Sequence, residues 1–222
     1  MTARQPTIVP LFATPFALMP TGVTAELNAA LAVLLGGRTT DEYRDAGLPR
    51  DALCFRSRED LFEWRVDTVG QLQREMLGGI CTAVMAVNRC TEAEFDALGV
   101  QARARFAVVR PNGCLPAMSA PMASWYGVYC VAAPAAVTDR ADSGTVRLYA
   151  AREGTMFMDP ANSRLHAPYS GMHHLWRPVP GHLAVFPAGI LHEVALNRAD
   201  ADLVLVMARV RFAHPGSAVP PW

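Results

Sequence analysis

Lysine is absent from this chain: all 20 basic residues among its 222 are arginines. Without a lysine amine there is no Schiff-base chemistry, a covalent pyridoxal site included, and no P-loop, whose lysine reaches the nucleotide phosphates. A charge excess of either sign is also missing, since 20 acidic residues balance the basic ones and the pI is near 7.0. That balance gives no electrostatic case for nucleic acid or an anionic membrane as a partner. Cysteine is sparse, odd in number and free of CxxC pairs (Cys54, Cys81, Cys90, Cys114, Cys130). The pattern argues against a disulfide framework or a zinc cluster and for a reducing, cytoplasmic setting. The longest apolar run, near residues 77–87, is interrupted by glycines and falls short of the about 20 residues a bilayer span needs. The first ten residues lack the apolar core of a signal peptide. The expectation is a soluble protein with a small-molecule ligand or substrate; the sequence leaves its oligomeric state open.

At 51% hydrophobic and 18% charged residues, the chain can bury a sizeable core. It reads as one domain over 1–222, with a helical part over 1–100, a barrel over 101–214 and a loose Pro-rich tail over 215–222. Thr7 to Phe16 mixes β-branched residues, aromatics and prolines, as an edge strand or extended arm does. Thr24 is placed as an N-cap for a helix with Leu27, Leu31, Leu34 and Leu35 on one face, ended by Gly36-Gly37. Residues 38–56 read as an irregular surface loop. Ser57 and Asp60 resemble a capping box opening a helix with Phe62, Val66, Val69, Leu72 and Met76, which Gly78-Gly79 breaks. Thr91 and Glu94 open a shorter one. These apolar stripes need a partner surface, so the helices are expected on the outside of a β-structure.

From Gln101 the period becomes that of strands. Arg103, Arg105, Ala107 and Val109 alternate with Ala104, Phe106, Val108 and Arg110. Further β-rich runs are Trp125–Val131, Thr145–Tyr149, His173–Arg177, Leu183–Phe186, Val194–Leu196 and Leu203–Phe212. About seven short strands parted by Pro/Gly turns, without intervening helices, indicate a mainly β (α+β) jelly-roll barrel. Its organising stretch is Pro178–Val194. Pro180-Gly181 turns the chain, Leu183–Phe186 is a buried strand, and Pro187–Gly189 turns it again. His192 then opens the next strand.

Four stretches resemble the 2-oxoglutarate/Fe(II) oxygenase family of the double-stranded β-helix superfamily. They are Leu11–Phe16, Pro121 with Trp125–Tyr129, Ser143–Leu148, and Pro180–Leu183 through Phe186-Pro187 to His192; Arg211-Phe212 closes the last strand. The resemblance implies Fe(II) and 2-oxoglutarate as cofactors. Such iron is held by two imidazoles and a carboxylate on one face, with open positions for cosubstrate and O2. An arginine fork matches the distal carboxylate of 2-oxoglutarate.

Of the family's ligands, His192 stands in place. Ala117–Pro121, where the resemblance puts the first ligands, holds no His, Asp or Glu. The clamp arginine falls at about Leu203. The Asp-Pro pair after the Ser-Gly strand corresponds to Ala150-Ala151, followed by Arg152. Candidate replacement ligands are His174, Cys114 (with Cys130) and Asp159; of His173 and His174 only one can face inward. Arg209 or Arg198 could replace the clamp. Trp125, Tyr129, Arg152 and Arg209 are candidate substrate or cosubstrate contacts. Met118 and Met122 stand where polar ligands would, making the pocket mouth apolar. Arg209 and Arg211 share a face and are expected in solvent.

Two principal readings follow. One is an oxygenase with a non-standard metal site that uses His192 as a ligand and oxidises a small molecule. The other is a metal-independent member of the fold, without cofactor. It would bind a small ligand, or use His192 as general base in an isomerisation or cyclisation. A third reading is a packed barrel with a structural role, against which a cavity lined by Trp125, Tyr129 and His192 would tell.

Overall fold

The computed structural model describes residues 13–137, 139–150, 159–160, 164–165, 169, 173–217 and 221–222. Its regular elements, in chain order, are β1 (Ala17–Pro20), α1 (Ala25–Gly36), β2 (Cys54–Arg56), α2 (Asp67–Val87), α3 (Glu92–Asp96), β3 (Gly99–Val109) and β4 (Leu115–Met118). They continue with β5 (Trp125–Ala132), β6 (Val146–Leu148), β7 (His174–Trp176), β8 (His182–Pro187), β9 (His192–Val194) and β10 (Leu203–Ala213). The strands form a six-stranded sheet, β1-β8-β5-β10-β3-β2, and a four-stranded sheet, β4-β9-β6-β7. All their pairings are antiparallel. This is the mainly β jelly-roll architecture expected from the strand spacing.

β10 shows how the larger sheet is used on both faces. Leu203, Leu205 and Met207 join Ala107, Val128, Phe186, Leu115 and Val146 in the cluster between the two sheets. The alternate residues Val204, Val206, Ala208 and Val210 join a second cluster with Leu31 and Leu35 of α1 and with Val69, Leu72, Met76 and Ile80 of α2. A strand buried on both faces has no polar alternation, which is why the first part of β10, Leu203–Ala208, reads as a continuous apolar run.

Thr24 caps α1, accepting from the Leu27 amide at 3.2 Å. Thr91 and Glu94 form the capping box of α3. The second helix departs from expectation at both ends. Ser57 caps nothing: it is buried, and its hydroxyl accepts from the Phe106 amide at 2.9 Å. A 3-10 turn spans Leu61–Glu63, and α2 starts at Asp67. Gly78 and Gly79 lie inside α2 rather than ending it. A Cβ on Gly79 would stand 2.7 Å from Leu183 Cδ2 and 3.2 Å from Met19 Sδ, so that glycine lets the helix backbone settle onto β1 and β8. The expected surface loop over 38–56 contains strand β2, paired with β3. In the expected arm, residues 7–12 lie outside the described residues, and the edge strand that pairs with β8 is Ala17–Pro20. No helix among the described residues is long and apolar enough to cross a membrane.

Candidate functional site

His192 opens β9 in the middle of the smaller sheet, opposite Met118 on β4 and Leu148 on β6. Its ring is 3% exposed and sits against Tyr126 (centroids 4.7 Å apart) and Phe186 (5.1 Å). Nδ1 lies 2.9 Å from the Ile190 carbonyl. A carbonyl only accepts, so the proton is on Nδ1 and Nε2 keeps the bare lone pair. Burial lowers the pKa, outweighing the hydrogen bond to Ile190 that raises it, and the ring is held neutral. Nε2 is buried without a hydrogen-bond partner.

Beside the ring is a small, partly open space of about 10 Å³ with apolar walls. Its lining includes Leu115, Met118, Val128, Val146, Leu205 and Met207 with His192. Glu193 also borders it, but its carboxylate turns to Arg147 at 2.7 Å. The space is about one water across, so no substrate fits there without rearrangement.

The described residues around His192 do not make a ligand set for a non-haem iron. Among the described residues no three His, Cys, Asp or Glu converge. The residue facing His192 across the β4–β9 ladder is Met118, whose thioether suits soft ions rather than Fe(II). Leu203, at the clamp position, is fully buried among aliphatic side chains, so a cosubstrate carboxylate would meet no charge there.

The proposed replacements do not assemble around His192. His174 packs on Phe16 at 4.9 Å and is separated from His192 by the β6 residue Leu148. Cys114 is exposed, because its neighbour Leu115 takes the inward position. Cys130 is a core thiol whose pKa burial pushes up to about 12. Asp159 is not in the cavity wall, and Arg152 lies outside the described residues. Arg198 is exposed.

The aromatic candidates on β5 also change. Tyr129 faces the helices: its hydroxyl donates to Asn28 Oδ1 at 2.7 Å, and burial first of all raises its pKa to about 12. Trp125, of the same parity, packs on that side too. Tyr126 is the β5 aromatic that reaches His192; it was not among the candidate site residues, although the same strand reading covers it. β5 (WYGVYCV) is apolar at every position, so nothing in the sequence says which parity faces the barrel.

Beyond Tyr126 the interior becomes charged. Arg105 pairs with Asp45 at 3.1 Å and Glu59 at 2.5 Å, and Arg209 pairs with Glu59. Desolvation lowers the Arg209 pKa against the pull of Glu59. Arg209 and Arg211 are withdrawn from solvent, contrary to expectation, with Arg211 only 9% exposed. Trp222, in the expected loose tail, lies over both guanidiniums, 4.7 Å and 4.1 Å from ring to Cζ.

The sequence matches no family model and no curated protein. The structure is similar to a prolyl-4-hydroxylase of Pseudomonas putida (TM-score 0.56, 18% identity, covering 88% of this chain and 91% of that one). It is also similar to SnoN, a non-heme α-ketoglutarate-dependent epimerase of nogalamycin biosynthesis (0.59, 11% identity, covering 95% and 89%). SnoK, a carbocyclase from the same biosynthesis, is a third (0.60, 10% identity, covering 89% and 79%). At these identities the likeness is one of fold, and the chain has the jelly-roll fold of the 2-oxoglutarate/Fe(II) oxygenases.

Proposed function

We propose that this chain is a metal-independent relative of the 2-oxoglutarate/Fe(II) oxygenases that binds a small molecule and performs no iron chemistry. The observation that carries the reading is the pairing of His192 with Met118, together with the aliphatic Leu203 at the clamp position. An oxygenase of this fold would need a coordinating side chain at the first position and a cation at the second. The isomerase or cyclase version is disfavoured, because His192 Nε2 is buried and the space beside the ring holds about one water. A general base must reach the proton it removes. A ligand is better accommodated at the polar end of the barrel, beyond Tyr126, than inside it.

Elemental analysis of protein purified without chelator, followed by anaerobic titration with Fe(II) and 2-oxoglutarate, tests this. The expected result is far less than one metal per chain and no visible charge-transfer band. One iron per chain, lost on His192→Ala, would overturn it.

A second reading, the oxygenase with a non-standard site, is favoured by one atom: His192 Nε2, a buried acceptor without a partner. Its further ligands would come from the segment between β6 and β7 that carries Arg152 and Asp159. Stoichiometric iron decides for it.

A further inference from the structure

Four arginines meet on one face at the end of the β3–β10 ladder. Arg209 and Arg103 are direct partners, Arg105 lies one step to one side on β3, and Arg211 one step to the other on β10. Residues two apart on a strand, and residues directly paired, point to the same face. Like charges placed so repel unless they are compensated. The compensation is incomplete. Asp45 and Glu59 are taken by Arg105 and Arg209. Among the described residues no carboxylate pairs with Arg103 or Arg211. Arg211 is buried, and its Nε donates to a neutral partner, Gln101 Oε1, at 2.8 Å. Arg209 Nε is buried with no acceptor. A buried guanidinium without a counter-charge is costly to keep.

The Trp222 indole lies over Arg209 and Arg211. Stacking uses the flat face of a guanidinium and leaves its N–H groups directed outward in the plane. In that geometry an oxyanion with two oxygens is bound bidentately.

We propose that this end of the barrel is an oxyanion site, formed by Arg103, Arg209 and Arg211 with Trp222 as the stacking platform, for a small ligand carrying a carboxylate or phosphate group. It is not the family's cosubstrate clamp. That position is Leu203, six residues back along β10, or about 20 Å away at strand rise. The proposal rests on the small-molecule reading above and names the chemistry of that ligand; metal content and anion binding are separate measurements, so each can fail without the other.

The test is calorimetric titration of the full chain with inorganic phosphate and, separately, with succinate. Saturable binding of either anion is expected, and the tighter of the two names the ligand class. Arg211→Gln and Arg103→Gln should each weaken binding about tenfold, the loss of one charge-assisted contact. Trp222→Ala should weaken it by a smaller factor, and Arg89→Gln, at an exposed position elsewhere, should leave it unchanged. Should Arg211→Gln fail to fold, Arg103→Gln, at an exposed position, carries the test. No saturable binding of either anion overturns the proposal. So does equal weakening by Arg89→Gln, which would mean unspecific attraction to surface charge.

Discussion

Met118 and His192 are cross-strand partners in the β4–β9 ladder, so a thioether stands beside an imidazole where an iron site of this fold would need a second coordinating group. Antiparallel partners have Cα atoms about 4.5–5.5 Å apart with side chains on the same face. Restoring an imidazole at 118 should therefore restore a chelating pair. Met118→His is expected to gain Zn(II) binding that wild type lacks. At a metal concentration a hundredfold above Kd, that binding adds about 2.7 kcal/mol, a Tm rise of about 5–10 °C for a chain of this length. Adding His192→Ala should abolish the rise. Equal responses of wild type and Met118→His to Zn(II) would mean that the two side chains do not converge.

Acid should destabilise the protein through the same ring. The folded-state pKa of His192 is depressed by burial, below an unfolded value of about 6.5. The groups around it do not reverse this. Tyr126 is pushed up to about 12 by burial and stays neutral; Glu193 is paired with Arg147; the remaining wall is apolar. Below pH 6.5 the unfolded chain takes up a proton that the folded chain resists, so stability rises with pH through this window. The contribution is complete above about 6.5 and declines as the pH falls toward the folded-state pKa. Urea midpoints at pH 7.5 and pH 5 should fall further for wild type than for His192→Gln. Parallel falls would assign the acid sensitivity to other groups.

Tyr129 ties β5 to α1. Asn28 accepts from its hydroxyl at 2.7 Å and donates to the Val131 carbonyl at 2.6 Å. Each bond contributes about 1 kcal/mol. Tyr129→Phe should lower unfolding free energy by about 1 kcal/mol and Asn28→Ala by about 2 kcal/mol. In the double variant the Tyr129–Asn28 contribution should be lost once rather than twice. Additive losses in denaturant titrations would show that the two side chains act independently.

The parts of this architecture that local chemistry dictates could be read from the chain. Thr24 before a leucine stripe, and Thr91 three residues ahead of Glu94, specify helix starts whatever surrounds them, and both caps form. The strands of the barrel and the inward histidine were legible because Pro/Gly turns bracket short apolar runs. What depends on the partner surface was not legible. Tyr126 and Tyr129 are chemically alike and three apart; which one reaches His192 is decided by a register set through β8 and β10. Ser57 imitates a cap in sequence, but the β2–β3 pairing claims its hydroxyl for the Phe106 amide. Arg209 looked like a solvated charge because its counter-ion, Glu59, is 150 residues away in sequence and joins it only through the fold.

Gly78 and Gly79 give the sharpest case of that dependence, since the sequence treats them alike and the fold does not. Both are interior to α2, where glycine is less favourable than alanine by about 0.8–1.0 kcal/mol. A Cβ at 78 meets nothing within 4 Å, whereas at 79 it would stand 2.7 Å from Leu183 Cδ2 and 3.2 Å from Met19 Sδ. Leu183 is fully buried, and its other methyl would be 3.4 Å from a Cβ at Gly127, so it has little room to retreat. Gly78→Ala should stabilise the protein by about 0.5–1 kcal/mol through helix propensity and a less free unfolded chain. Gly79→Ala should destabilise it by about 1–3 kcal/mol, as overpacking does, a loss larger than the helix gain. Opposite signs at adjacent positions in paired denaturation curves are the expected outcome. Stabilisation by both would mean that α2 stands off the sheet and that Gly79 is not the residue that lets it approach.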